Sequence, residues 1–157
     1  MNIDLLVVGK TDSAEIQSLV ATYLKRLNFY TRVTLVTLPD LKNTRNISAE
    51  SQKRQEGELL MRQFADGDYV VFLDEKGAEM RSVEFSMWLQ KRMNSGVRRL
   101  CFVIGGPYGF SKTVYDRADE SISLSRMTFS HQIIRAIFAE QLYRAFTIIR
   151  NEPYHHE

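Results

Sequence analysis

Cysteine and proline are scarce in this chain, and the shortage of cysteine limits where the protein can act. The 157 residues include one cysteine and three prolines. A single cysteine cannot form an internal disulfide, so we expect the protein to work in the reducing cytoplasm. That cysteine, Cys101, lies in an apolar run, which favours a small buried side chain over a reactive thiol.

Long hydrophobic runs and a strong charge imbalance are also missing. No apolar run approaches the ~20 residues of a membrane span, and Met1–Asp4 lacks the basic start of a signal peptide, so no membrane association is expected. The 21 basic and 19 acidic residues leave a net charge of +2, whereas a strongly basic chain would indicate nucleic acid. If the chain binds RNA, we expect a focused site, such as one assembled across a dimer.

The hydrophobic pattern alternates between strand-like and helix-like segments. Short apolar runs predict strands over Ile3–Val8, Arg32–Leu38, Tyr69–Leu73, Leu100–Ile104 and, more weakly, Ser121–Leu124. Apolar residues at helical spacing predict helices over Thr11–Phe29, from Ser48 to near Asp66, from Ser82 onwards, from Ser111 to about Ala118 and from Ser130 to about Ile149. This alternation predicts one α/β domain over residues 1–157, with a mostly parallel sheet flanked by helices.

Three predicted loops follow strand ends. Asp74–Gly77 predicts a turn, Gly105–Phe110 a glycine-rich loop and Ser125–Phe129 a further loop. The carboxyl ends of parallel strands meet at one edge of the sheet, where open α/β proteins bind ligands. We therefore expect a small-molecule site at this edge. Elsewhere, Leu41–Asn46 predicts a mobile loop and Arg150–Glu157 a short tail.

The glycine-rich loop does not match the common nucleotide motifs. Cys101–Ser111 reads CFVIGGPYGFS, which is neither the dinucleotide fingerprint nor a phosphate loop, since Lys112 follows the serine instead of preceding it. The chain also lacks a Gly-x-Ser-x-Gly elbow and a His-Glu-x-x-His zinc motif. From spacing alone, a ligand loop and a structural turn are equally good interpretations of these glycines.

Histidine is rare, and two of the three histidines stand near the chain end. His131 falls in the first turn of the predicted last helix, where capping or packing is the ordinary explanation. His155 and His156 are neighbours in a tail, which seldom converge on one ion, so we predict no metal site. Tyr154 beside an imidazole suits base stacking or closure of a pocket, although a disordered end is the simpler interpretation.

Three segments together carry a resemblance to a known family. They are Val103–Ser111 (VIGGPYGFS), Ser123–Thr128 (SLSRMT) and Asn151–Glu157 (NEPYHHE), supported by Val7–Lys10 (VVGK) and the spacing of Glu140 and Arg144. In order and spacing, the chain resembles the RlmH family of small SPOUT-class methyltransferases, which modify a pseudouridine of the large-subunit ribosomal RNA. The resemblance covers essentially the whole chain.

The resemblance implies a SPOUT-type fold, in which the C-terminal part of the chain forms a trefoil knot around the cofactor. General topology rules argue against knots, and no residue pattern indicates one, so this expectation rests on the resemblance alone. The resemblance also implies a homodimer, in which the partner subunit helps to build each site. The implied partner outside the protein is large-subunit ribosomal RNA within the ribosome, with no metal.

The resemblance implies S-adenosyl-L-methionine as the cofactor, held by three loops. By motif position, the residues that would bind it are Leu73, Gly105, Gly106, Leu124, Ser125, Arg126, Met127, Thr128 and Phe129. These residues fall in the loops predicted above for one edge of the sheet. A neutral adenine and a zwitterionic methionine can be held by backbone groups and apolar walls, which agrees with the lack of a charged fingerprint.

The implied reaction is methylation of N3 of pseudouridine 1915, in helix 69 of 23S ribosomal RNA, on assembled ribosomes. The N3 proton must leave, so a general base is expected. His155 is the first candidate because an imidazole titrates near neutral pH, with His131 and Glu140 behind it, and deprotonation by solvent is equally consistent. The implied catalytic residues are His155, Tyr154 and Arg144, and the implied substrate-binding residues are Arg135, His131 and Tyr154.

Other interpretations stay open at this point. The chain could be a non-catalytic RNA-binding module of the same fold, or an α/β enzyme that uses another nucleotide. The intact loops and tail count against the module, and the glycine spacing counts against the other enzyme. For Arg135 and Arg144, an ion pair on a helix face is the plain alternative to a phosphate contact.

Overall fold

Strands and helices alternate along the described part of the chain, which comprises residues 1–42 and 44–156 of a computed structural model. The strands are β1 (Asn2–Val8), β2 (Val33–Leu38), β3 (Tyr69–Glu79), β4 (Arg99–Ile104) and β5 (Glu120–Ser123). The helices are α1 (Ala14–Leu27), α2 (Ala49–Met61), α3 (Ser82–Asn94), α4 (Lys112–Arg117) and α5 (Ile133–Ile149). Asn43 of the predicted loop and Glu157 of the predicted tail lie outside the described residues, and Thr44–Asn46 forms a 3₁₀ turn.

The five strands form one parallel sheet in the order β2-β1-β4-β3-β5. Successive side chains of β1 enter opposite faces of the sheet. Leu5 packs with residues of α1, α3 and α5, whereas Leu6 packs with residues of α2 and α4. Helices therefore cover both faces, and the prediction of an α/β fold with a mostly parallel, helix-flanked sheet is confirmed. The trefoil knot stays a prediction.

Local caps set the bounds of the first two helices. Ser48 caps α2 as predicted, because its hydroxyl accepts a hydrogen bond from a backbone N–H of the first turn at 3.1 Å. Helix α1 begins later than the predicted Thr11, since Ser13 is the residue that caps it. Helix α2 ends at Met61, short of the predicted Asp66, and a turn connects it to β3.

The starts of α3 and α5 also differ from the prediction. Arg81, not Ser82, occupies the N-cap position of α3, and Ser82 is its first helical residue. The regular part of α5 begins at Ile133, three residues after the predicted Ser130. The Ser130 hydroxyl still accepts a hydrogen bond from the Ile133 N–H at 3.2 Å, so the serine caps the turn that leads into the helix.

The predicted turn Asp74–Gly77 lies inside β3 as a bulge, which corrects the strand end predicted at Leu73. Leu73 and Ala78 both pair with Ile122 of β5, so the residues between them loop out of the ladder. A turn and a bulge use the same residue types, which explains the error. A Cβ on Gly77 would lie 2.6 Å from the backbone nitrogen of Ile122, so the bulge needs glycine there.

Candidate functional site

A cleft of about 670 Å³ opens at the carboxyl ends of β4 and β5, beside the bulge of β3. The sheet register brings the start of the bulge level with these two strand ends, because Leu73 pairs with both Ile104 of β4 and Ile122 of β5. The loops that follow therefore start side by side. The predicted cofactor residues that line the cleft are Leu73, Gly105, Gly106, Leu124, Ser125, Met127, Thr128 and Phe129.

The glycine-rich loop between β4 and α4 is a tight turn that also forms one wall of the cleft. The Gly109 N–H donates to the Gly106 carbonyl at 3.1 Å, and the φ of +78° at Gly109 favours glycine. A Cβ on Gly105 would lie 3.0 Å from the ring of Phe110, which stacks on Phe72 with ring centroids 4.2 Å apart. Gly109 thus makes the turn, while Gly105 and Gly106 present backbone to the cleft.

Hydroxyl groups shape the loop that follows β5. The Ser123 hydroxyl donates to the Ser125 carbonyl at 2.9 Å, and the Ser125 hydroxyl accepts from the Met127 N–H at 2.9 Å. The Thr128 hydroxyl donates to the Glu75 carboxylate in the β3 bulge at 3.2 Å. Two of the loops that line the cleft are therefore joined by a side-chain hydrogen bond.

Arg126 belongs to the same loop but does not line the cleft. Its side chain is 87% exposed, and its guanidinium lies 3.6 Å from the Glu79 carboxylate. An exposed ion pair of this kind contributes little to stability. The side chain thus faces solvent beside the cleft, where an anionic partner can reach it.

Arg135, predicted to bind substrate, is completely buried. Its guanidinium donates to the carbonyls of Val8 and Gly9 at 2.8 and 2.9 Å, and to the Thr11 hydroxyl at 3.0 Å. These contacts satisfy acceptors at the end of β1 and leave no face of the guanidinium toward solvent. The substrate role predicted for Arg135 is therefore not supported, and the side chain instead fastens α5 to β1.

His131, predicted to bind substrate from the first turn of the last helix, lies at the cleft. It lines the cleft just before α5, and its backbone carbonyl accepts a hydrogen bond from Arg135 at 3.1 Å. Gln132 ties the same turn to the loop after β1, because it donates to the Lys10 carbonyl and accepts from the Asp12 N–H, each at 3.1 Å. The buried arginine and this glutamine together hold the start of α5 against the cleft.

Sequence reasoning missed two polar residues near the cleft. The Tyr115 hydroxyl donates to the Asp74 carboxylate, and burial and this hydrogen bond raise the pKa of the phenol. Glu56 of α2 is only 5% exposed, and its carboxylate lies against Gly106. The one sequence signal for Glu56 is its helical spacing of four from the buried Leu60.

The predicted catalytic residues meet in a second place, which we call the tail cluster: Glu140, Arg144, Tyr154 and His155. Glu140 Oε1 accepts from Arg144 Nη2 at 2.6 Å and from the Tyr154 hydroxyl at 3.0 Å. Arg144 Nη1 lies 3.2 Å from His155 Nδ1, which must accept because a guanidinium only donates. Glu140 is thus the shared acceptor that orients the other members.

The tail folds back onto α5, contrary to the interpretation of a disordered end. Helix α5 stops where Asn151 adopts a φ of +55°, and the Glu152 N–H donates back to the Thr147 carbonyl at 2.9 Å. The Tyr154 ring packs edge-on against Tyr143, with centroids 4.8 Å apart. Burial, with the hydrogen bond that the Tyr154 hydroxyl donates to Glu140, raises the pKa of Tyr154, so the phenol stays protonated at neutral pH.

The tail cluster and the cleft are separate within one chain. Ile134 lines the cleft at the start of α5, and Arg144 lies ten residues further along, about 15 Å on a helix. Of the described residues that line the cleft, none belongs to the tail cluster. A single subunit therefore does not bring the predicted catalytic and cofactor residues together.

The described residues provide neither a metal-binding cluster nor a membrane-spanning helix. Within residues 1–42 and 44–156, His, Cys, Asp and Glu side chains form no group of three that could hold a metal ion. The helices in this same part of the chain are all too short or too polar to cross a membrane.

Comparisons with known proteins identify the family of this chain. A family model described as "Predicted SPOUT methyltransferase" matches residues 1–155. A protein of Flavobacterium johnsoniae is 55% identical over 157 residues, with both chains fully covered. Proteins of Christiangramia forsetii and Parabacteroides distasonis are 54% and 53% identical, with at least 99% of each chain covered. All three carry the name "Ribosomal RNA large subunit methyltransferase H". This chain therefore belongs to the SPOUT methyltransferases and, within them, to the RlmH family.

Proposed function

We propose that this protein transfers a methyl group from S-adenosyl-L-methionine to N3 of a pseudouridine in large-subunit ribosomal RNA, on assembled ribosomes in the cytoplasm. The observation that carries the proposal is the convergence of three separate loops on one cleft of about 670 Å³. The names of the relatives, which describe methyltransferases of large-subunit ribosomal RNA, support the class of substrate.

The residues of the cleft fit this cofactor. The volume lies in the range of pockets for small ligands, and the lining combines backbone groups of Gly105 and Gly106 with apolar side chains such as Leu73 and Leu124. Such a lining can bind adenine edges and a zwitterion without a charged fingerprint. When bound, the cofactor supplies a methyl group that is already activated, so the protein mainly has to align the attacking nitrogen.

The tail cluster provides the groups that the RNA base needs. The positive charge of Arg144 can stabilise the negative charge that develops when N3 loses its proton. Tyr154, neutral and half-buried, offers a ring on which a base can stack. Glu140 already accepts hydrogen bonds from Arg144 and Tyr154. His155 is therefore the residue of the tail cluster that remains to take the N3 proton. The lone pair of His155 that would take this proton is on Nδ1, which now accepts a hydrogen bond from Arg144. Arg144 must therefore turn away from Nδ1 and toward the substrate.

We further propose that the active form is a homodimer, in which the tail cluster of one subunit faces the cleft of the other. The separation of about 15 Å along α5 supports this arrangement, because one subunit alone leaves the two parts apart. Helix α1, which packs beside α5, leaves Leu19 47% exposed, and Phe29 just beyond it is 82% exposed. Exposed apolar residues of this size suit an interface.

The test is transfer of tritiated methyl groups by the purified full-length protein. The substrates are assembled ribosomes, free large subunits and naked ribosomal RNA from a strain that lacks the enzyme. We expect incorporation into assembled ribosomes, and N3-methylpseudouridine in the digested RNA by mass spectrometry. Ribosomes that carry uridine in place of the target pseudouridine are the matched control and should stay unlabelled.

Two results would contradict the proposal. Incorporation into none of the three substrates, with RNA binding retained, would indicate a non-catalytic RNA-binding module. Failure to bind S-adenosylmethionine in a direct titration would exclude this methyl donor, and parallel titrations with NAD and ATP would identify a different nucleotide.

A further inference from the structure

Glu56 is a buried carboxylate that the proposed mechanism does not use. It projects from α2, is 5% exposed, and does not itself line the cleft. A Cβ built on Gly106 would lie 2.9 Å from Glu56 Oε1 and closer still to Oε2, so the carboxylate is packed directly against this cleft residue. A charged group in such a place needs an explanation, because burial penalises its ionised form.

Few neighbouring groups offset the cost of burying the Glu56 carboxylate. Gln52 Nε2 donates to Oε1 at 3.0 Å, and within the described residues no donor forms a hydrogen bond with Oε2. Burial raises the pKa of Glu56, which the Gln52 hydrogen bond opposes; nearby, Asp40 repels the carboxylate and His131 attracts it. Lys53 lines the cleft, but its ammonium group lies 3.6 Å from Glu50. Within the described residues, Glu56 thus has one hydrogen-bond donor and forms no ion pair.

We propose that Glu56 is a positioning residue whose negative charge, acting through the backbone of Gly106, makes the cleft prefer a cationic ligand over a neutral ligand of the same shape. This inference rests on the proposed function, in which the cleft binds the methyl donor. The methyl donor carries a sulfonium cation, whereas its product, S-adenosylhomocysteine, has a neutral thioether at the same atom. The negative charge of Glu56 would therefore favour binding of the donor over binding of the product, and this difference would promote product release after transfer.

The size of the effect follows from electrostatics in a partly buried site. Charges at such sites interact through an effective dielectric far below that of water, so one charge pair readily changes affinity by about tenfold. The thioether of the product carries no charge, so its electrostatic interaction with the Glu56 carboxylate should be much weaker than that of the sulfonium. The ratio of the two affinities thus reports the charge of Glu56, whereas a purely structural role would change both affinities together.

The test measures equilibrium binding of S-adenosylmethionine and S-adenosylhomocysteine to the full-length protein by calorimetry, without RNA. Glu56→Gln keeps the shape of the side chain and removes its charge. We expect it to weaken donor binding by about tenfold and product binding by less than about twofold. Glu58→Gln is the matched control, since Glu58 is an exposed carboxylate on the same helix that pairs with Arg54. Its two affinities should match those of the wild type.

Glu56→Asp keeps the charge on a shorter side chain, so it decides the question even if Glu56→Gln does not fold. We expect a donor-to-product ratio within about twofold of the wild type, even where both affinities fall. Equal weakening of both ligands in Glu56→Gln, or collapse of the ratio in Glu56→Asp, would overturn the inference. If the wild type binds neither ligand, the proposed function itself fails, which is a distinguishable result.

Discussion

The cleft and the tail cluster are built from different materials. The cleft is formed by backbone and apolar side chains at the ends of β4 and β5, together with charged side chains such as Asp74 and Glu75 of the β3 bulge, and glycines set its shape. The tail cluster consists of charged and aromatic side chains on α5 and the segment after it, with Glu140 at its centre. A backbone site depends on the fold being correct, whereas a side-chain site depends on single functional groups. The two regions should therefore respond to different mutations.

The largest expected effect comes from removing the tail. Deletion of Tyr154–Glu157 should lower methyl transfer to ribosomes by at least about a hundredfold, because the groups proposed to hold the base and take its proton are lost. Binding of S-adenosylmethionine should stay within about twofold of the wild type. His156→Ala, which changes an exposed tail residue outside the cluster, should leave both unchanged. Equal loss of transfer and binding in the deletion would show that the tail is structural.

The opposite response is expected from Gly77→Ala in the β3 bulge. The new Cβ would lie 2.6 Å from backbone atoms of β5, so the bulge and the loop tied to it must shift. We expect cofactor affinity to fall by at least about tenfold, in line with the cost of displacing a preorganised site. Glu79→Ala changes an exposed side chain on the same strand and should have little effect. Calorimetric titration distinguishes the two variants, and unchanged affinity in Gly77→Ala would refute the role of the bulge.

A substitution of Arg135 tests whether this arginine stabilises the fold at the start of α5 or contacts the RNA. Arg135→Met leaves buried acceptors at the end of β1 without donors, so the free energy of unfolding should fall by about 2 kcal/mol. Arg98→Met changes an exposed arginine, so it should lower the free energy of unfolding by less than about 0.5 kcal/mol. Urea denaturation measures both. Wild-type stability of Arg135→Met, combined with weakened RNA binding, would instead favour the substrate role predicted from the sequence.

The smallest effect concerns Cys101, which belongs to neither region. Burial raises the pKa of its thiol to about 12, so the thiol should not react with a disulfide reagent in the native protein at pH 8. In the unfolded chain the same thiol has a pKa near 9. Its ionisation therefore lowers the free energy of unfolding progressively as pH rises from about 9 to about 12. Thiol titration with and without denaturant checks the first point. Rapid native labelling would contradict it.

The sequence predicted the strands and the cleft better than it predicted the polar interior. Apolar runs such as Leu100–Ile104 have few alternatives in a chain of this size, and parallel strand ends must share an edge. The sequence predicted a turn where the structure has a bulge after Leu73, because turns and bulges favour the same residue types. Burial of Arg135 was missed because the groups that hold it at the end of β1, two backbone carbonyls and the Thr11 hydroxyl, lie 124 or more residues away along the chain and leave no pattern around the arginine.

The separation of the tail cluster from the cleft was likewise beyond the sequence. Motif positions place Arg144, Tyr154 and the cleft loops in one functional set, but they do not say which subunit provides each part. In the proposed homodimer this depends on how two chains pack, which the residue spacing of a single chain does not encode. Glu140 was recognisable through its spacing of four from Arg144, although its role as shared acceptor required the geometry.

The central claim, that each site joins the cleft of one subunit to the tail cluster of another, is tested most directly by mixing two variants at a donor concentration too low for either variant alone to transfer methyl groups. One lacks Tyr154–Glu157 and keeps its cleft, and the other carries Gly77→Ala and keeps its tail. After unfolding and refolding of an equal mixture, half of the dimers are mixed, and each holds one complete site. We therefore predict methyl transfer at about a quarter of the wild-type level. Transfer no higher than that of the separate variants, with mixed dimers present by mass, would contradict the claim.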